Sequence, residues 1–185
     1  DAKDPAEQMD SALDKILGLT GSEFGYIYCY NEDTEEFTLN SYSKHISKDC
    51  TVKDPKTRFY LEETGIWGEV VRQRKPIVVN DFSAPNPLKK GYPEGHVPIR
   101  RYMSVPIFSD GRIVAGVGLA NKPGDYDEND ITSVVILMSG AWQSVQRKVT
   151  QDQLSHERQK YLQTLISIGD GVMVVGRDGG VEMLN

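Results

Sequence analysis

Cysteine is nearly absent from this 185-residue chain: Cys29 and Cys50 form no CxxC pair, and the three histidines stand at no metal-ligand spacing. A disulfide scaffold and a structural metal site are excluded on that count, and the usage fits a reducing cytoplasm. Apolar runs are short as well. None reaches the ~18 residues of a membrane span, and the opening DAKDPAEQMD has neither the basic leader nor the apolar core of a signal peptide. No direct membrane insertion is expected. Positive charge is scarce: 21 Lys and Arg against 27 Asp and Glu leave −6, which argues against nucleic-acid binding. Catalytic signatures are missing too, with no Gly-rich phosphate loop, GxSxG elbow, HExxH or kinase or cyclase motif. Without an initiator Met, and ending abruptly at Asn185, the chain reads as a piece of something longer.

What is present is enough apolar residue, 38%, to build a core. PAEQMDSALDKILGL (5–19) places Met9, Leu13, Ile16 and Leu17 at helical spacing behind a starting proline, with Gly18 and Gly21 to end the helix. FGYIYCY (24–30) and EFTLNSYS (36–43) read as two strands. Alternation puts Phe24, Tyr26, Tyr28 and Tyr30 on one face and Gly25, Ile27 and Cys29 on the other. Lys44 to Phe59 is polar and aperiodic, a long loop. Thr64 is positioned to cap a short helix, GIWGEVVRQR, whose stripe is Ile66, Trp67, Val70 and Val71; a brief strand, PIVV, ends at Asn80 and Asp81.

FSAPNPLKKGYPEGHVPIR holds four of the nine prolines and reads as an irregular cover. RYMSVPIF and IVAGVGLAN form a hairpin around Asp-Gly, and Val114, Gly116, Gly118 and Ala120 share one face of its second strand. That run of small groups suits close packing of a helix or the approach of a ligand. An acidic start and Ile131, Val134, Val135, Met138, Ala141, Trp142 and Val145 mark a long core-facing helix, which continues past Lys148 with a weak heptad of Leu154, Tyr161 and Ile168.

Several residues are candidates for binding. Lys89, Lys90, His96, Arg100 and Arg101 concentrate positive charge beside one acid, Glu94, and suit a carboxylate or phosphate, with His96 and Arg101 facing inward. A solvated basic loop is the plainer reading, and Lys89 and Lys90 fit it. Tyr26, Tyr28, Tyr42 and Trp67 offer flat surface with polar edges to a ligand, or ordinary core packing. Asn80 and Asp81 suit a ligand or the anchoring of the loop backbone.

SEFGYIYCY, SYSKHISKDC, the run from TGIWGEVV through GVGLANKPGDYDENDI, and LMSGAWQSVQRK, in that order, closely resemble a GAF domain over residues 1–149. The resemblance is to the subgroup in bacterial and archaeal sensor histidine kinases and cyclic-di-GMP signalling proteins. It implies an α+β fold: an antiparallel sheet of five to six strands, N- and C-terminal helices on one face, and a ligand pocket under loops on the other. A long C-terminal signalling helix follows, with residues 150–166 as a helical linker. Residues 167–185 resemble the start of a PAS domain, matching at Gly171, Asp178, Gly179 and Asn185.

NKPGDYDEND resembles the NK, F, DE signature of cyclic-nucleotide-binding GAF domains at Asn121, Lys122 and Asp130. Tyr126 replaces the Phe and Ile131 stands where Glu is expected. A structural ion pair between Lys122 and Asp130 is therefore the expected role.

The function implied is sensory: a small, anionic ligand binds this fragment, which is not itself an enzyme, and the change passes to PAS and output domains of a dimeric cytoplasmic protein. A histidine kinase or a diguanylate cyclase or phosphodiesterase is the implied parent. One alternative is a non-binding dimerisation spacer with its pocket filled by its own side chains. Another is a thiol-dependent reductase using Cys29 or Cys50 with His45 or His96, like the GAF-type methionine sulfoxide reductases. The cofactor is unknown; no metal, haem or bilin is expected.

Overall fold

Pro5 brings a helical φ and no N–H to satisfy, and it opens helix α1 (Pro5–Thr20); Gly21 closes it in the left-handed region at φ 67°. The computed structural model describes residues 4–43, 57–90, 96–167, 173–175 and 181–184. Strands β1 (Phe24–Asn31) and β2 (Glu36–Tyr42) follow, paired antiparallel with a register shift after Ile27. A three-residue strand, β3 (Arg58–Tyr60), then pairs with β2, Phe59 opposite Phe37. The sequence places most of that segment in a loop, because so short a strand carries no period of its own. Its pairing partner and the burial of Phe37 make it a strand.

Two 3-10 turns, Leu61–Glu63 and Ile66–Gly68, lead to the single-turn helix α2 (Glu69–Arg72). The helix expected over residues 65–74 is thus cut short, and Thr64 is not its cap. Thr64 Oγ1 instead donates to the Leu61 carbonyl at 2.6 Å, and Arg72 Nη2 donates to Thr64 Oγ1 at 2.9 Å. A Cβ on Gly68 would fall 1.8 Å from Thr64 Oγ1, so this tight turn needs glycine.

The remaining strands are β4 (Ile77–Val79), β5 (Tyr102–Ser109) and β6 (Arg112–Ala120), followed by the 40-residue helix α3 (Glu128–Ser167). Asp110 and Gly111 join β5 to β6 with φ of 51° and 77°, the double left-handed turn that an Asp-Gly hairpin favours. The six strands lie in the order β3-β2-β1-β6-β5-β4, every neighbour antiparallel.

One sheet face is the main core. Ile27, Val117, Leu119 and Met103 stand there against α1 and the first part of α3, and these four, with Ile16, Val134 and Met138, are at most 1% exposed. Full burial of each such side chain contributes about 1.5–3 kcal/mol of transfer free energy. The opposite face carries Tyr26, Tyr28 and Tyr30.

The chain divides into two compact units, Asp1–Gln143 and Ser144–Asn185. The second contains the rest of α3 and an antiparallel pair, β7 (Met173–Val175) with β8 (Val181–Leu184). On its helix Leu154 and Tyr161, two of the weak heptad positions, are well exposed.

Gly25 is where α1 meets the sheet. A Cβ there would lie 2.9 Å from Leu119 Cδ2 and 3.1 Å from Leu13 Cδ1 and Leu17 Cδ2. Gly25→Ala is expected to destabilise the domain by about 1–3 kcal/mol through overpacking. Urea unfolding measures this, and an unchanged midpoint would show that α1 shifts without cost.

Candidate functional site

Directly paired residues of antiparallel strands point to the same face. The register therefore lays two rows across the face turned away from α1. One row reads Tyr42, Tyr26, Gly118, Ser104 and Ile77; the other reads Leu39, Tyr28, Gly116 and Pro106. The small residues of β6 thus face tyrosines and α2 rather than the long helices. Gly118 is the floor of the first row, and the Tyr26 ring lies on it so closely that a Cβ would fall 2.1 Å from Tyr26 Cζ. Over Gly116 a Cβ would meet only Val70 Cγ1, at an ordinary 3.7 Å.

The Tyr26 and Tyr102 hydroxyls are 2.8 Å apart. Ser104 Oγ stands beside both and slightly favours their ionised forms, yet it has no hydrogen-bond partner among the described residues, and Ser104 is 1% exposed. Burial dominates the phenols' chemistry. It pushes Tyr28 and Tyr102 up to about 12, and Tyr26 well above its ordinary value with help from the neighbouring Tyr102. All three are hydroxyl donors at neutral pH.

Below this polar group is an aromatic cluster. Trp67 stacks on Tyr28 with centroids 5.2 Å apart and meets Phe37 and Phe59 edge-on at 5.0 and 5.3 Å. Tyr30, Val70, Val71 and Ile113 fill the space beneath. Above it, Phe82 meets Tyr102 edge-on at 6.0 Å, and Val97 and Ile99 pack with Phe24 and Ala120.

Tyr26, Tyr28 and Trp67 are brought together here. Tyr42 is opposite Tyr26 in register, but its side chain is 55% exposed at the margin. Asn80 anchors backbone: its Oδ1 accepts from Tyr126 N at 2.8 Å and its Nδ2 donates to Tyr126 O at 3.1 Å. Asp81 holds the start of the cover, accepting from the Ser83 hydroxyl and from the backbone N–H of Ser83 and Ala84, and these bonds keep its carboxyl below the usual range.

The basic cluster is spoken for within the fold. Arg101 Nε meets Asp125 at 3.1 Å and Arg100 pairs with Glu23 at 3.0 Å. His96 Nδ1 is 2.8 Å from the Val97 carbonyl oxygen. Lys89 and Lys90, read as solvated, also pin the cover from its exposed side: Lys89 Nζ donates to the carbonyls of Phe82 and Ala84 and sits over the Phe82 ring, and Lys90 Nζ donates to the Glu62 carbonyl at 2.8 Å. A protonated amine satisfies loop carbonyls as readily as it seeks water.

Lys122 Nζ donates to Asp130 Oδ2 at 2.6 Å, and Asp130 also accepts from Asp127 N. Asn121, left-handed at φ 63°, accepts from Arg100 N and donates to the Pro98 carbonyl, clamping the far end of the cover. Cys29 is on the helix-facing side opposite Ala115, and burial pushes its thiol up, the reverse of an activated nucleophile. Cys50 and His45 lie outside the described residues. Among the described residues no group of His, Cys, Asp and Glu is arranged to hold a metal, and no helix is long and apolar enough to cross a membrane.

Sequence reasoning missed Tyr102, Ser104 and Phe59, and singled out Asn121 for its motif but not for its clamp on the cover. Continued from the Asp-Gly turn, the hairpin register would set Ser104 opposite Val117; a register shift between Ile107 and Phe108, which the sequence does not announce, sets it opposite Gly118 instead.

A family profile described as GAF domain matches residues 2–146. The chain is 41% identical over 148 residues to the methyl sulfide methyltransferase-associated sensor of Methanosarcina acetivorans, covering 80% of this chain and 15% of that protein. Among solved structures it is similar to the GAF domain of an Acinetobacter phosphoenolpyruvate-protein phosphotransferase, with TM-score 0.63, 14% identity, and 80% and 86% of the two chains covered. It is also similar to the free methionine-R-sulfoxide reductase of Neisseria meningitidis, with TM-score 0.58, 17% identity, and 78% and 81% covered. These two likenesses are of fold.

The raised phenols predict alkaline behaviour. Each proton is held more tightly in the folded than in the unfolded chain, whose tyrosines titrate near ~10. The resulting stability is complete below that pH and is lost as pH climbs towards about 12, the folded value of Tyr28 and Tyr102. Absorbance at 295 nm is expected to show a late-ionising class of tyrosines whose titration coincides with unfolding. A single class at the ordinary value would contradict it.

Proposed function

The chain belongs to the GAF domain family, and on that premise we propose that it is a cytoplasmic sensory module of a longer signalling protein. A small ligand binds on the tyrosine-lined face, and the change is relayed through α3 to PAS and output domains, two copies pairing through their terminal and linker helices. Support for the sensory role comes from the sensor relative, of which this chain spans about 15% of the length. The segment itself is not the enzyme, and a histidine kinase or a diguanylate cyclase or phosphodiesterase remains the proposed parent. The observation that carries ligand binding is the buried hydroxyl of Ser104, left without a hydrogen-bond partner beside a glycine floor.

The engagement of Arg100, Arg101, Lys89 and Lys90 within the fold weakens the case for an anion. The relay has a short physical route. Gly118 is two residues from Ala120, where Asn121 clamps the cover and Lys122 joins Asp130 in the first turn of α3. A ligand that shifts β6 against this knot biases α3 only if it binds one arrangement better than the other. One observation favours the spacer reading: the Tyr26 ring already fills the seat on Gly118.

Native mass spectrometry of the purified protein, with identification of any released compound, separates the two readings. Under the sensory reading a stoichiometric small molecule is found, and hydrogen exchange of residues 128–143 changes on its removal. An empty protein that gains no thermal stability from a metabolite panel, or unchanged exchange in α3, supports the spacer.

A further inference from the structure

Where α1 gives way to β1, three buried hydroxyls stand in file. Thr20 Oγ1 donates to the Ile16 carbonyl at 2.8 Å, the Thr20 and Ser22 hydroxyls are 2.8 Å apart, and Ser22 Oγ is 2.9 Å from the Tyr126 hydroxyl. Thr20, Ser22 and Tyr126 are 4%, 8% and 3% exposed. A hydroxyl has one proton to give, and a carbonyl can only accept. Thr20 uses its proton on Ile16, so Ser22 donates to Thr20. Ser22 is then committed, so Tyr126 donates to Ser22. The direction of the whole file follows, from Tyr126 through Ser22 and Thr20 to the closing turn of α1.

Tyr126 is gripped from two other sides. Its backbone N–H and carbonyl are both held by Asn80, at 2.8 and 3.1 Å, where β4 gives way to the cover. Lys122 Nζ lies 5.9 Å from the centre of its ring and bonds Asp130, in the first turn of α3, at 2.6 Å. Asp130 also accepts from the N–H of Asp127, the residue after Tyr126. One buried residue thus meets three separate segments: the start of the cover through its backbone, the start of α3 through its ring and its chain neighbour, and the end of α1 through its hydroxyl. The first two grips need no hydroxyl; the third depends on it.

Packing alone does not make this link. Met9, Leu13 and Ile16, each at most 2% exposed, seat α1 on the sheet, and apolar contact of that kind is non-directional. Hydrogen bonds in file are directional, and each polarises the next. A change at Asn80 that tilts the Tyr126 backbone turns the O–H at the head of the file away from Ser22. The ion pair of Arg100 with Glu23 also joins the cover to the turn after α1, but both side chains are well exposed, and screened surface pairs couple weakly.

We propose that Tyr126 is a joint through which the cover, the end of α1 and the start of α3 are energetically coupled, with its hydroxyl as the arm that reaches α1. The joint gives the domain a second input, since a displacement of α1 bears on the same turn of α3 as a displacement of the cover. Its use in signalling rests on the sensory reading, whereas the coupling is a property of the ligand-free chain. The direction of the file makes the first test asymmetric. Tyr126→Phe removes a bond but strands no donor, because Ser22 still donates to Thr20, whereas Ser22→Ala leaves the buried Tyr126 hydroxyl with its proton unmet. Ser22→Ala is expected to lower the melting temperature of the 185-residue chain by about 4–8 °C and Tyr126→Phe by roughly half as much. The double variant is expected to be no worse than Ser22→Ala alone. Additive losses, or a larger loss for Tyr126→Phe than for Ser22→Ala, overturn the proposal.

Hydrogen exchange reads the coupling across the joint. Asn80→Ala is expected to speed exchange of residues 17–22 several-fold, along with that of residues 127–133, and in the Tyr126→Phe background to speed only the latter. Where Asn80→Ala does not fold, Asn80→Asp takes its place, since it keeps the bond from Tyr126 N and removes the one to Tyr126 O. Unchanged exchange of residues 17–22, or an equal change with and without the Tyr126 hydroxyl, overturns the proposal. A protein that carries no ligand but keeps both couplings removes the use in sensing and leaves the joint standing. A bound ligand with neither coupling does the reverse.

Discussion

The central strand β6 has almost no side chain on one of its faces, and the rest of the tyrosine side is arranged around that bareness. Gly116 and Gly118 leave a strip of exposed peptide that adjacent strands and overlying segments must cover. Tyr26 covers one part by lying on Gly118, and Val70 of α2 approaches the other. The two coverings differ in kind. Val70 belongs to a packed cluster with Tyr30, Phe37 and Ile113, whose apolar burial holds it in place. Tyr26 is held by its hydroxyl pair with Tyr102, by the edge of Tyr28 and by contact with peptide, beside the Ser104 hydroxyl. The floor is thus sealed by apolar packing at one end and by a polar, aromatic contact at the other.

The cover over this face is secured by its own chemistry rather than by regular structure. Asp81 gathers the first turn, Lys89 and Lys90 reach back to carbonyls, and Asn121 holds residues 98–100 through two side-chain bonds. Carbonyls of an irregular loop lack strand partners, and long amines supply donors to them at the surface. The same economy explains why a cluster of five basic residues in the sequence does not become a bare positive rim.

Much of the fold was legible because its signals are local. Pro5 and Gly21, the alternation of Phe24 to Tyr30, and the Asp-Gly turn place α1, β1 and the β5–β6 hairpin almost to the residue. The two elements that went astray are decided by tertiary contacts. β3 exists because Phe59 finds Phe37, and the helix after Thr64 shortens because Arg72 turns back onto the Leu61–Thr64 segment. At the site, the aromatic wall of Tyr26, Tyr28 and Trp67 was readable from parity and spacing. Tyr42 was not separable from it, because a register shift and the sheet margin, not its sequence parity, leave it exposed. Asn80 and Arg101 have residue types that suit a ligand equally well, and only their partners, Tyr126 and Asp125, tell which use is made of them.

Both outer strands, β3 and β4, are three residues long. An outer strand so short gives a second sheet little to zip onto. Copies held at high local concentration, as neighbouring modules of one polypeptide or of an oligomer are, can therefore crowd together without fusing edge to edge.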